Sequence, residues 1–159
     1  MAMNATDYAD VAIKPPLLFL GALAVGSLLS FVLPIGPRLA SPNGLALAVG
    51  VTFVAIGFAL AVLSVRRFRL AGTSVAPGQK STALVVEGPY RFTRNPIYIA
   101  FMLVYFGFAL ILTSLWVLLL LIPVLIVLQR GVVLREEDYL ERQFGEAYRK
   151  YQARVPRWL

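Results

Sequence analysis

The chain has 159 residues, 59% of them hydrophobic and 14% charged, with a formal net charge of +7. A mean hydropathy of +0.77 excludes an ordinary soluble domain and points to a membrane protein. The absence of cysteine and histidine excludes disulfides, thiol chemistry by the protein itself, histidine-ligated haem and the usual catalytic zinc sites.

Met1 to Asp10 are polar and acidic, unlike the positive start of a secretory signal peptide, so the first apolar run is expected to be a retained span. That run, Leu17 to Leu33, follows Pro15-Pro16, which suit a helix start, and stops at Pro34-Ile35-Gly36-Pro37, which cannot continue one. The second run, Leu45 to Val65, has 21 residues. At about 1.5 Å per residue it reaches roughly 30 Å, enough to cross the hydrocarbon.

A polar connector follows over 66–96, ending in Glu87-Gly88-Pro89-Tyr90-Arg91-Phe92-Thr93-Arg94-Asn95-Pro96-Ile97-Tyr98. Rigid and cationic groups crowd the mouth of an apolar helix there, a costly arrangement unless something binds them. From Ile97 to Leu128 the chain is apolar throughout, about 48 Å as one straight helix, too long for one crossing and short for two. The spacing predicts a tight helical hairpin over 97–129, with a single tilted helix kinked at Pro123 as the alternative. Its turn falls at the polar pair Thr113-Ser114, just before the interfacial residue Trp116.

The tail, 130–159, is helix-friendly as far as Tyr151. Leu140, Phe144, Tyr148 and Tyr151 recur at helical spacing and share one face, as in an amphipathic helix lying on the membrane or folding back over the bundle. The fold expected is all-α: an integral membrane bundle of four transmembrane helices with a cytosolic C-terminal amphipathic helix. Six Lys or Arg lie in 66–95 and seven in 129–159, against Arg38 alone in 34–44. That asymmetry places both termini and the central connector in the cytoplasm, with the spans in the inner (plasma) membrane. Positive-inside anchoring accounts for the pI near 10.1 without nucleic acid.

Gly88-Pro89-Tyr90, then Arg94-Asn95-Pro96-Ile97-Tyr98, a hairpin, Glu136-Glu137-Asp138-Tyr139-Leu140, Phe144-Gly145 with Tyr148, and Val155-Pro156-Arg157 stand in a distinctive order. The pattern resembles the isoprenylcysteine carboxyl methyltransferase and phospholipid methyltransferase superfamily over residues 84–158. Asn95 stands where eukaryotic members usually carry histidine, which removes any role for an imidazole there. The resemblance implies S-adenosylmethionine as methyl donor, bound by loop and tail. No G-x-G-x-x-G after a strand offers a Rossmann-type alternative.

The site residues implied are Gly88, Pro89, Tyr90, Arg94, Asn95, Pro96, Tyr98, Glu136, Glu137, Leu140 and Arg157 for the cofactor, with Arg94, Glu136 and Glu137 also catalytic and no metal. Ionised Glu136 or Glu137 can accept from the cofactor's ammonium or ribose hydroxyls, and Arg94 or Arg157 can grip its carboxylate. Tyr90 and Tyr98 can cover the adenine or face the sulfonium. Each has a plainer reading: lipid-phosphate anchoring for Arg94, an interfacial belt for Tyr98, a first-turn proline for Pro96.

Methyl transfer chiefly needs alignment and exclusion of water. Lacking His and Cys, the chain has only carboxylates and phenols as bases, which favours an acceptor that is already anionic. The leading expectation is carboxyl O-methylation of an isoprenylcysteine-like lipid. Phospholipid N-methylation and thiol S-methylation are the alternatives. An NADPH-dependent reductase would need a further arginine cluster, for which only Arg66, Arg67 and Arg69 offer themselves. A transporter is disfavoured by the absence of charge within the spans, and a non-catalytic membrane subunit would bind no cofactor.

Overall fold

A computed structural model describes residues 11, 13–35, 43–75 and 79–159. Met1 to Asp10, the Gly36-Pro37 stop and Arg38 lie outside the described residues. The described residues are helical, without strands. The helices are α1 (Pro15–Val32), α2 (Gly44–Leu70), α3 (Pro96–Ile111), α4 (Leu115–Leu128), α5 (Leu134–Phe144) and α6 (Glu146–Gln152). Among the described residues, three helical stretches are long and apolar enough to cross a membrane: α1, α2 and the continuous run Leu115–Phe144. The fourth expected span, α3, has 16 residues, roughly 24 Å along its axis.

Local chemistry explains most boundaries. Pro15 and Pro96 occupy first-turn positions, where a missing N–H does no harm. Asn43 caps α2 by accepting from the Ala46 N–H, and Ser114 caps α4 by accepting from the Val117 N–H at 3.1 Å. The hairpin turn falls at Thr113-Ser114 as expected, with Thr113 in the left-handed region at φ 48°.

Two boundaries differ from expectation. α2 runs on through Arg66, Arg67 and Arg69 to Leu70, because arginine is a good helix former and basic residues suit a helix C-terminus. The tail is not one separate helix. α4 passes through a five-residue π-helical segment, Gln129–Val133, directly into α5. The tail then breaks at Gly145, whose φ of 53° ends α5 and starts α6. The uninterrupted apolar run ends at Leu128, and the α5 part of the rod is charged.

The hairpin arms splay apart: α3 packs along α2, and α4 along α1. The α2–α3 seam is closed by small residues. A Cβ on Gly107 would sit 2.6 Å from the Gly50 carbonyl oxygen, and one on Gly57 would sit 2.8 Å from that of Ala100. Such proximity of backbones is how apolar helices gain dispersion contacts where no hydrophobic drive exists between them. Between the splayed arms lies an apolar groove of about 870 Å³, lined by Met102, Leu103 and Phe106 from α3 and Leu121 and Leu125 from α4.

Candidate functional site

A cavity of about 930 Å³ lies where α3 begins and α5 projects. It takes its walls from the start of α1 (Lys14, Leu17), the end of α2 (Phe68), the connector (Ser81, Leu84), α3 (Ile97, Tyr98, Phe101), α5 (Glu136, Glu137) and α6 (Tyr148). Its size suits a cofactor-sized molecule, and its lining of mostly apolar and aromatic groups with a few polar ones is that of a ligand site.

The floor is built by a clasp between the motif at 93–95 and the tail at 156–157. The Arg94 N–H donates to the Pro156 carbonyl at 2.9 Å. The Thr93 hydroxyl and the Asn95 amide both donate to the Arg157 carbonyl, at 2.9 and 3.1 Å. Asn95 therefore serves as a strut, a task for which an amide N–H suffices. The Tyr151 hydroxyl donates to the Tyr90 carbonyl at 2.7 Å, and the Ser81 N–H donates to the Tyr139 hydroxyl at 2.9 Å, joining α6 and α5 to the connector.

Two adjacent glutamates meet opposite surroundings. Glu137 is buried and clamped: Arg157 donates from Nε and Nη2 to its two oxygens at 2.9 and 2.6 Å, and Arg94 Nη1 lies 2.9 Å from Oε1. The bidentate bond raises the Arg157 pKa further, burial only partly opposing it. Arg94, whose side chain is only 11% exposed, is paired with Glu137 through Nη1 and also meets the Tyr148 hydroxyl, while its buried Nε has no hydrogen-bond partner among the described residues. A buried guanidinium N–H without a partner is uncommon and costs free energy unless something accepts from it.

Glu136 has no ion pair among the described residues. Its Oε2 accepts from the Tyr98 hydroxyl at 2.7 Å. Burial pushes this carboxyl up to about 7, the Tyr98 hydrogen bond opposing the rise and the charge of Glu137 adding to it. Burial also holds the Tyr90 phenol well above its ordinary range, with Tyr151 and Glu136 reinforcing it.

Of the residues singled out from sequence, Tyr90, Arg94, Asn95, Tyr98, Glu136, Glu137 and Leu140 line this cavity, whereas Gly88, Pro89, Pro96 and Arg157 do not. Gly88 shapes the approach: its φ is 63°, and a Cβ there would sit 2.6 Å from Arg67 Nε. Pro89 falls in the 3-10 turn Gly88–Arg91, and Pro96 is buried at the first turn of α3. Arg157 acts from behind, through Glu137. Sequence reasoning missed Lys14 and Phe68. The ring of Phe68 meets that of Tyr90 edge-on at 5.4 Å, and an aromatic among arginines at a span end was the signal for it.

An α-helical membrane bundle with a largely apolar cavity at one end, carrying paired carboxylates and a buried arginine, is the class of protein that fold and site define. The sequence profile of the phospholipid methyltransferase family matches residues 45–147, and the chain belongs to that family of membrane methyltransferases. It is also similar to an uncharacterized protein of Haemophilus influenzae, 35% identical over 63 residues that make up 40% of this chain and 100% of that protein. No solved structure matches the chain.

Proposed function

We propose that the protein transfers a methyl group from S-adenosylmethionine to a lipophilic acceptor, at the cytoplasmic face of the inner membrane. The observation that carries this is a cofactor-sized cavity whose wall holds Arg94, with a buried Nε that has no hydrogen-bond partner among the described residues, beside the carboxyl groups of Glu136 and Glu137. When bound, the cofactor supplies an electrophilic methyl group on a cationic sulfur. Arg94 offers its fork to the cofactor's carboxylate. Tyr90, Tyr98 and Phe68 present aromatic faces suited to adenine or a sulfonium. Glu137 holds Arg94 in place. Leu17, Ile97 and Phe101, on helices that continue into the apolar bundle, offer an apolar side to the same cavity, which supports an acceptor with a hydrocarbon tail.

Among acceptors, the carboxylate of an isoprenylcysteine-like lipid was the leading expectation from sequence. The site supports it less well than an acceptor bearing a proton. The basic residues lining the cavity are Lys14 and Arg94, and Arg94 already faces Glu137. The reductase reading loses its arginine cluster: Arg66, Arg67 and Arg69 do not line the cavity, and Arg67 pairs with Glu87 at 3.2 Å.

Calorimetry of the detergent-purified protein with S-adenosylhomocysteine, and separately with NADPH, tests the proposal. Saturable binding of the homocysteine compound without NADPH binding is the expected result. NADPH binding alone would move the assignment to a reductase, and binding of neither by folded protein would leave a non-catalytic subunit.

A further inference from the structure

The two glutamates differ in one respect that the methyltransferase reading leaves unused. Glu137 has both oxygens committed to arginine, which leaves it no free oxygen to present to the cavity. Glu136 faces the same cavity with only a phenol on Oε2. It keeps partial solvent contact although protein surrounds it on nearly every side. Adjacent carboxyl groups placed in contrasting environments are the usual arrangement of a site that moves a proton. In a chain with no histidine and no cysteine, a carboxyl leaning on a phenol is the means available for it.

Resting on the methyltransferase reading, we propose that Glu136, positioned by the Tyr98 hydroxyl, is the proton acceptor of the reaction, and that the methyl acceptor enters bearing a proton, as an ammonium or a thiol. The proton passes from the acceptor nitrogen or sulfur to Glu136. The freed lone pair forms the new bond to the methyl carbon. The bond from that carbon to the sulfonium breaks with its electron pair kept by sulfur, leaving a neutral thioether. The proton on Glu136 then returns to water. An anionic carboxylate acceptor would give Glu136 no proton to take and would meet its charge across the cavity.

The charge state of Glu136 supports this geometry. A carboxyl lifted to about 7 is divided between its two forms at neutral pH, which suits a general base. Among the described residues, Tyr98 from α3, Tyr90 from the connector and Glu137 from its own helix act on it, and Lys14, at the start of α1, lines the same cavity. Arg94 and Arg157 are engaged with Glu137.

The test follows transfer of labelled methyl from S-adenosylmethionine to decylamine, decanethiol and N-acetyl-S-farnesylcysteine, beside calorimetry with S-adenosylhomocysteine. Wild-type protein is expected to methylate the amine or the thiol. Its kcat/KM should rise with pH to a plateau above about 7, as Glu136 loses its proton. At saturating S-adenosylmethionine, Glu136→Gln should lose at least about 100-fold in transfer, and the pH-dependent limb with it. Tyr98→Phe removes a bond that lowers the Glu136 pKa, so its limb should move to higher pH. That shift stands as the readout even if Glu136→Gln does not fold.

The proposal is overturned if Glu136→Gln transfers methyl normally at saturating cofactor, if the limb stays in place in Tyr98→Phe, or if only the farnesylcysteine carboxylate is methylated. Failure of wild-type protein to bind S-adenosylhomocysteine would instead overturn the parent reading, and is seen before any acceptor is added.

Discussion

Glu136 and Glu137 are neighbours in sequence with the same side chain, and the fold makes them different chemical objects. A helix turns about 100° per residue, so consecutive side chains look at different surroundings. One meets Tyr98 and the cavity; the other meets two arginines. Glu137→Gln is expected to lower stability by about 3 kcal/mol, the low end of the range for stripping a buried charge of its partner, because Arg157 is about a third exposed and can recover water. A drop in the detergent melting temperature, together with weakened S-adenosylhomocysteine binding as Arg94 loses its hold, checks this. The motif residues were legible in the sequence because rigid, charged and aromatic groups stood where apolar ones were due. Their division of labour was not. The arginine that neutralises Glu137 most closely comes from 20 residues further along, through a bidentate contact that no local pattern encodes.

At the scale of elements, the helices were readable wherever an apolar run met a proline, asparagine or serine. Arg66, Arg67 and Arg69, which as charges mark the start of a connector, form the last turns of α2 instead. The tail was read as one amphipathic helix and contains a break at Gly145, yet Leu140, Phe144, Tyr148 and Tyr151 still pack together as their periodicity demanded. The break re-aims the chain without undoing that apolar face. Pairing of helices was hidden, since a hairpin connection leads one to expect its arms to pack on each other, whereas α3 finds its closer partner in α2. The glycine seam decides that choice. Gly107→Leu should force α2 and α3 apart and destabilise the bundle by about 1–3 kcal/mol, measurable as a lower melting temperature and faster proteolysis, whereas Gly21→Leu, with nothing within 4 Å of its Cβ, should be tolerated.

For the whole molecule, the cavity draws on nearly the full length of the chain, from Lys14 to Tyr151. Its floor depends on the clasp between 93–95 and 156–157. Deleting residues 155–159 should leave a membrane-inserted helical protein that no longer binds S-adenosylhomocysteine. Intact circular dichroism with no calorimetric signal is the expected pair of results, and retained affinity would show the clasp to be dispensable. The same clasp has a meaning in time as well as in space. A ribosome delivers Thr93, Arg94 and Asn95 some 60 residues before the carbonyls that hold them, so a nascent chain can have seated its helices in the lipid while its chemistry is still unmade. Activity arrives late in synthesis, and a chain cut short beforehand is an inert passenger in the bilayer.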